Sequence, residues 1–180
     1  RARVAQAEWG ARPVRERCRA FRSFRVALAA LGEALAQAIA RENGKPLQEA
    51  LSHDLVPLLD LIAWFETRAP RILAPHDLSL HFLVHRRSHL HYVPRGVVGV
   101  ISPWNFPFQL PLRDVIMALI AGNAAVLKPS EVTPLIALKA KQIWDEAGLP
   151  ADVFQVVTGY GPAGAALIDS GIQLLVFTGG

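Results

Sequence analysis

One cysteine, one methionine and two tyrosines stand among 180 residues. A single thiol, Cys18, permits no internal disulfide, which excludes a disulfide-stapled scaffold and fits a reducing compartment. Long hydrophobic runs are also missing. The longest, Val115 to Leu127, is interrupted by Gly122-Asn123 and is too short to cross a bilayer. The first twenty residues are rich in Arg and lack the apolar run of a secretory signal. No internal repeat and no low-complexity linker occurs. What remains is a 52% hydrophobic chain, long enough to bury one sizeable core or to share a larger one.

The formal charge of +4 comes largely from Arg1, Arg3, Arg12, Arg15, Arg17, Arg19, Arg22 and Arg25. A nucleic-acid surface would interleave exposed aromatics with such a run for base stacking. Phe21 and Phe24 fall instead on an apolar helical stripe, so a solvated helix face is the expected role and an RNA-binding domain is disfavoured. That stripe (Phe21, Phe24, Leu28, Leu31, Leu35 and Ile39) predicts one long amphipathic helix from Pro13 to Asn43, stopped by Asn43-Gly44. A second helical stretch is predicted over 47–69. Pro57 either kinks it or starts its second part, with Asp54 as a candidate cap. Trp9, Trp64 and Trp144 are expected to be packing residues.

From Leu78 to Val93 the rhythm changes to alternation, with Leu78, Leu80, Phe82 and Val84 on one face and Leu90 and Tyr92 resuming it after Arg86-Arg87-Ser88. This pattern predicts a β-hairpin over 78–93. His81, His85, His89 and His91 lie at even spacing on it. With no Cys or close carboxylate among them, surface polar residues are expected rather than a metal site. Beyond Gly96 the chain reads strand 97–101, helix 110–121, strand 124–128, helix 134–147, strand 153–157, helix 162–170 and strand 172–177. Such alternation implies a parallel, doubly wound sheet with right-handed crossovers.

Residues 94–107, PRGVVGVISPWNFP, carry the clearest chemical signal. A β-branched run suited to burial on both faces leads into a turn stiffened by Pro103 and Pro107. Trp104 and Asn105 are therefore held at the carboxyl end of a strand, where open α/β sheets bind ligands. A preorganised side-chain amide there suits a reaction that develops an oxyanion. An asparagine holding its own turn is the plainer alternative. Lys128, Ser130 and Glu131 follow the second strand of the same unit, where a carboxylate can accept hydrogen bonds from ribose hydroxyls; a surface ion pair is again the alternative. Gly159, Gly161 and Gly164 form GYGPAG, a weak phosphate-loop signal that turn chemistry explains equally well.

Taken in order, PWNFP, LKPSEVTP at 127–134 and FTGG at 177–180 resemble the NAD(P)-dependent aldehyde dehydrogenase superfamily. The stretch from WGARPVRERCRAF through ARENGKP resembles that family's N-terminal helical region, so the resemblance spans essentially the whole chain. It implies an α/β fold: N-terminal helices and a β-hairpin followed by a partial doubly wound parallel, Rossmann-like nucleotide-binding sheet. Residues 1–77 would be the helical region, 78–93 an oligomer-contact arm and 94–180 part of the dinucleotide-binding domain. Asn105 matches the family's oxyanion-stabilising amide. Ile101, Ser102, Pro103, Trp104, Lys128, Ser130, Glu131, Gly161, Gly164, Phe177, Thr178 and Gly179 match its cofactor-binding positions. Gly180 stands where Ser is common.

The implied cofactor is NAD, with NADP possible; the implied substrate is a small-molecule aldehyde, in a cytoplasmic, homo-oligomeric parent without nucleic-acid or membrane partners. Family members are more than twice this long and carry a nucleophilic Cys and a general-base Glu beyond the matching region. The sequence, which starts without Met and stops in a glycine turn, is expected to be an N-terminal portion and inactive alone. Cys18 does not match the nucleophile and has no evident partner base. A non-catalytic nucleotide-binding or assembly module is the alternative from another functional class.

Overall fold

A computed structural model describes residues 1–83 and 85–179. In chain order the elements are α1 (Ala2–Ala11), α2 (Val14–Ala30), α3 (Gly32–Asn43), α4 (Leu47–Glu49) running into a π-helical turn (Ala50–Leu55), α5 (Val56–Ile72), β1 (His76–Leu78), β2 (Ser88–Leu90), β3 (Val97–Ile101), α6 (Gln109–Ile120), β4 (Ala124–Lys128), α7 (Pro134–Glu146), β5 (Phe154–Val156), α8 (Gly161–Asp169) and β6 (Leu174–Phe177).

The last four strands form a parallel sheet in the order β5-β4-β3-β6, as the strand–helix rhythm implies. Alternation along β3 and β4 explains why the sheet is wound on both faces. Val98, Val100, Ala125 and Leu127 point into the large core shared with α2, α6 and α7, while Val97, Ala124 and Val126 meet Leu167 of α8. Gly99 of β3 is where α8 and its exit come closest: a Cβ there would lie 2.5 Å from Ile172 Cδ1. The chain steps outward from β3 to β4 to β5, then returns through α8 to β6 on the other side of β3. The strand order therefore reverses between β3 and β6.

The large core is centred on Trp144, whose ring meets Phe21, Phe24 and Phe154 edge-on at 5.4, 5.3 and 5.8 Å. These contacts tie the N-terminal helices to the sheet layer. Trp9 is also buried and its indole N–H donates to the Leu119 carbonyl at 2.7 Å. Trp64, expected to pack, is half exposed on the outer face of α5, against Phe65 only at its edge.

The predicted helix from Pro13 to Asn43 is two helices, α2 and α3, whose axes bend by 72° at Leu31. Hydrophobic spacing survives the break, so periodicity does not reveal it. Gly32 marks its cause: a Cβ there would sit 3.2 Å from Leu55 Cδ2, where the π-helical turn packs in. Leu31, at the bend, is exposed while the rest of the stripe is buried. The first helix, α1, has no counterpart in the sequence reading. Pro57 lies in the first turn of α5, which starts after the π-helical turn. No single helix among the described residues is long and apolar enough to cross a membrane.

Between β1 and β2 the antiparallel register pairs His76 with Leu90, Asp77 with His89 and Leu78 with Ser88. Among the described residues of the predicted 78–93 hairpin, only Leu78 and Leu90 of the alternating apolar set lie in these short strands, the first of which begins earlier, at His76. Leu80, His81 and Phe82 lie in turns, with His81 at φ 48° and Phe82 96% exposed, since no second layer among the described residues covers the apolar side. Val84 lies outside the described residues. His89 Nδ1 meets the Asp77 carboxylate at 2.5 Å across this pair.

Candidate active site

The reversal of strand order puts the carboxyl ends of β3 and β6 side by side. In register, Ile101 pairs with Lys128 on one side and with Phe177 on the other. Just beyond, Ser102 N–H donates to the Lys128 carbonyl at 3.3 Å, and Thr178 N–H to the Ile101 carbonyl at 3.0 Å. Gly179, at φ 136°, turns the chain past Pro103, and Gly164 of α8 packs against Ile101. Ile101, Ser102, Pro103, Lys128, Phe177, Thr178 and Gly179 thus lie at the carboxyl ends of three adjacent parallel strands, with Gly164 packed beside Ile101, the end of a doubly wound sheet where ligands bind. Gly180 lies outside the described residues.

Three further candidates follow β4 or open α8. Glu131 is exposed, and Lys128 reaches it with Nζ–Oε2 at 3.1 Å. The Glu131 carboxyl is held below its ordinary value, first by its own backbone N–H and then by the hydrogen bond and charge of Lys128. Ser130 is buried, and its hydroxyl accepts from the Val132 N–H at 3.2 Å, which shapes the turn into α7. Gly161 opens α8, and a Cβ there would meet no atom within 4 Å.

Trp104 and Asn105 are both exposed on the turn after β3. Their backbone carbonyls are held from the helical layer: Asn43 Nδ2 donates to the Trp104 oxygen at 2.8 Å and Lys45 Nζ to the Asn105 oxygen at 2.9 Å. The side-chain amide of Asn105 has no hydrogen-bond partner among the described residues. The turn is therefore fixed by its main chain and leaves the amide available, which is the arrangement a preorganised oxyanion donor needs.

Sequence reasoning missed the residues that hold the turn. Asp54, expected to cap its own helix, is fully buried and caps α6 instead, accepting from the N–H groups of Phe108 and Gln109 at 3.1 Å each. Glu42 serves α7 similarly, through Leu135 at 2.5 Å and Ile136 at 2.9 Å. ENGKP was the local signal, but it names no partner. The Arg-rich segment is likewise more than a solvated face. Arg17 is buried, donating to the carbonyls of Ile120, Gly10 and Arg12, and its burial pulls its pKa down. Arg3 reaches Ser170 and Gly171 at the end of α8.

Cys18 lies in the helical layer with its Sγ 3.7 Å from the Phe65 carbonyl. Burial pushes its thiol up, Arg17 opposes this, and Glu66 adds to it. A thiol so placed is a poor nucleophile. An apolar groove of about 500 Å³ between α3 and α7, lined by Leu31, Leu35, Leu135 and Ile136 among others, includes none of the strand-end residues.

Two features fit a dinucleotide at the strand ends. Ser102 Oγ is buried without a hydrogen-bond partner among the described residues, and α8 starts at Gly161 without a side-chain cap and with no atom within 4 Å of where a Gly161 Cβ would stand.

Comparison with known proteins shows the family and the fold. The model of the aldehyde dehydrogenase family matches residues 1–180. The N-succinylglutamate 5-semialdehyde dehydrogenase of Paraburkholderia xenovorans is 40% identical over 190 residues, covering 99% of this chain and 36% of that protein. The structure of an aldehyde dehydrogenase from Bacillus cereus in complex with NAD+ superposes with a TM-score of 0.90 at 34% identity, covering 99% of this chain and 36% of that one. An NADP-dependent enzyme of E. coli superposes with a TM-score of 0.89 at 32% identity, covering 98% and 36%. The chain spans about a third of the length of these relatives.

Proposed function

The chain belongs to the aldehyde dehydrogenase family, and on that premise we propose that it forms the cofactor-binding and oxyanion-stabilising part of an enzyme oxidising an aldehyde to a carboxylic acid with NAD or NADP. The observation that carries this reading is the turn at Asn105, clamped at two successive carbonyls at the end of a parallel strand, with its amide unengaged.

The residues that would hold the dinucleotide are Ile101, Ser102, Pro103, Trp104, Lys128, Ser130, Glu131, Gly161, Gly164, Phe177, Thr178 and Gly179. When bound, the nicotinamide supplies the electron acceptor for aldehyde oxidation. Asn105 acts on the substrate: its amide N–H donates to the carbonyl oxygen as that oxygen gains negative charge, which favours the transition state over the ground state. Its own backbone N–H and then Lys128 hold Glu131 ionised, and Lys128 orients it as an acceptor for ribose hydroxyls. The nucleophilic Cys and general-base Glu that complete the reaction belong to the two-thirds of the relatives' length that this chain does not match. Residues 1–77 act as the helical support, 78–93 as an arm contacting another subunit, and 94–180 as the nucleotide unit of a cytoplasmic homo-oligomer.

The test is spectrophotometric. A full-length enzyme carrying this sequence is expected to form NADH or NADPH in the presence of an aldehyde, and the 180 residues alone are expected to form none above background. Cofactor binding without turnover in the full-length enzyme, over a panel of aldehydes, would favour a nucleotide-binding module instead.

A further inference from the structure

We propose that Lys45, locked by the buried carboxylate of Asp54, is the positioning residue of the Asn105 turn, so that a loop of the helical layer sets where the oxyanion donor stands. This rests on the reading of Asn105 given above and goes beyond it by naming what aims the amide.

The argument begins with the end of α3. Gly44, at φ 84°, reverses the chain there, and Pro46 stiffens the exit. Between them Lys45 is directed inward, its side chain only 8% exposed and that of Asp54 fully buried. The Lys45 ammonium meets Asp54 Oδ2 at 2.6 Å, the Asn105 carbonyl at 2.9 Å and the face of the Phe106 ring at 4.8 Å from its centroid. The other oxygen of Asp54 accepts from the first N–H groups of α6, which begins at Gln109.

One buried ion pair thus grips the turn from both ends. Lys45 fixes the carbonyl of Asn105, and Asp54 fixes the helix start that follows it. Removing either partner leaves a buried charge uncompensated, so the pair has a single favourable geometry. Asn43 adds a second clamp one residue upstream, on the Trp104 carbonyl. None of these groups touches the Asn105 amide itself, which marks the role as positioning.

The experiment compares Lys45→Met, Asp54→Asn, Asn105→Ala and the double variants Lys45→Met/Asn105→Ala and Asp54→Asn/Asn105→Ala in a full-length enzyme carrying this sequence. Single-turnover acylation and NAD affinity are measured for each. Lys45→Met is expected to slow acylation by about ten- to a hundredfold, the scale of a small misplacement of a reacting group, with cofactor affinity unchanged. In the Asn105→Ala background the same substitution is expected to change the rate hardly at all, because the group it positions is gone. Asp54→Asn retains the helix cap and is expected to behave alike, so it carries the readout if Lys45→Met does not fold. A slow Asn105→Ala beside a wild-type Lys45→Met rate, or a full additive loss in the double variant, overturns the Lys45 assignment alone. A wild-type rate in Asn105→Ala overturns the reading of Asn105, and the positioning role falls with it.

Discussion

Thr178 donates its backbone N–H to the carbonyl of Ile101 at 3.0 Å, the last rung joining β6 to β3. Past that rung the two chains leave the sheet together, Ser102 and Pro103 on one side and Gly179 on the other, with Gly179 packed against Pro103. Strand order reverses at this place, so no further strand fills the gap between the two exits. Ser102, whose hydroxyl is buried without a hydrogen-bond partner among the described residues, stands at this exit, three residues before Asn105.

Asn105→Ala in a full-length enzyme is expected to lower the acylation rate by about 10²–10³-fold, the loss typical of one oxyanion donor. NAD affinity is expected to change little, since the turn is held through its carbonyls rather than its side chain. Asn105→Asp is expected to be at least as harmful, because a carboxylate repels the developing charge. Single-turnover NADH formation, measured with NAD affinity for both variants, decides the matter.

Glu131 predicts cofactor preference. Its carboxyl is kept ionised by its own backbone N–H and by Lys128, so a 2′-phosphate near it meets a like charge. NAD is expected to be used at least as well as NADP, and Glu131→Gln is expected to move the ratio of specificity constants severalfold towards NADP, most clearly at low salt. A wild-type enzyme that strongly prefers NADP would refute this.

Cys18 is expected to be chemically quiet. With burial raising its pKa, alkylation by iodoacetamide at pH 8 should be at least about tenfold slower than for a free thiol, and unfolding in urea should remove the protection. The unfolded thiol ionises at its ordinary value while the folded one is still protonated. Stability contributed by the neutral thiol is therefore complete below the ordinary thiol pKa and declines as pH rises through the raised one. Urea melts from pH 7 to 10 should show this decline in the native sequence and a smaller one in Cys18→Ala. Turnover of a full-length Cys18→Ser enzyme should match the parent.

Self-association of the isolated 180 residues is expected at high concentration. Leu174, Leu175 and Phe177 of edge strand β6 are exposed, Phe177 by 59%, and the β1–β2 pair leaves Phe82 uncovered. Light scattering after gel filtration should show species larger than the monomer, reduced by Leu175→Lys. A monodisperse monomer at millimolar concentration would contradict this.

The bounds of β3 and β4 and the helices between the strands were legible in the sequence, because short apolar runs punctuated by glycine and proline report burial directly. The turn at Trp104-Asn105 was legible for a similar reason: two prolines constrain it whatever surrounds it. The bend at Leu31 was not, since residues spaced for one helix face keep that spacing across a change of axis, and only Leu55 packing on Gly32 requires the change. The exposed stretch at 80–82 alternates like a strand, yet a strand needs a partner and a covering layer, which tertiary structure withholds there. Asp54 makes the same distinction at the site. Its sequence neighbours suggest a cap for its own helix, but burial allows a carboxylate only where donors and a counter-charge converge, and Lys45, Phe108 and Gln109 converge on it only in the folded chain.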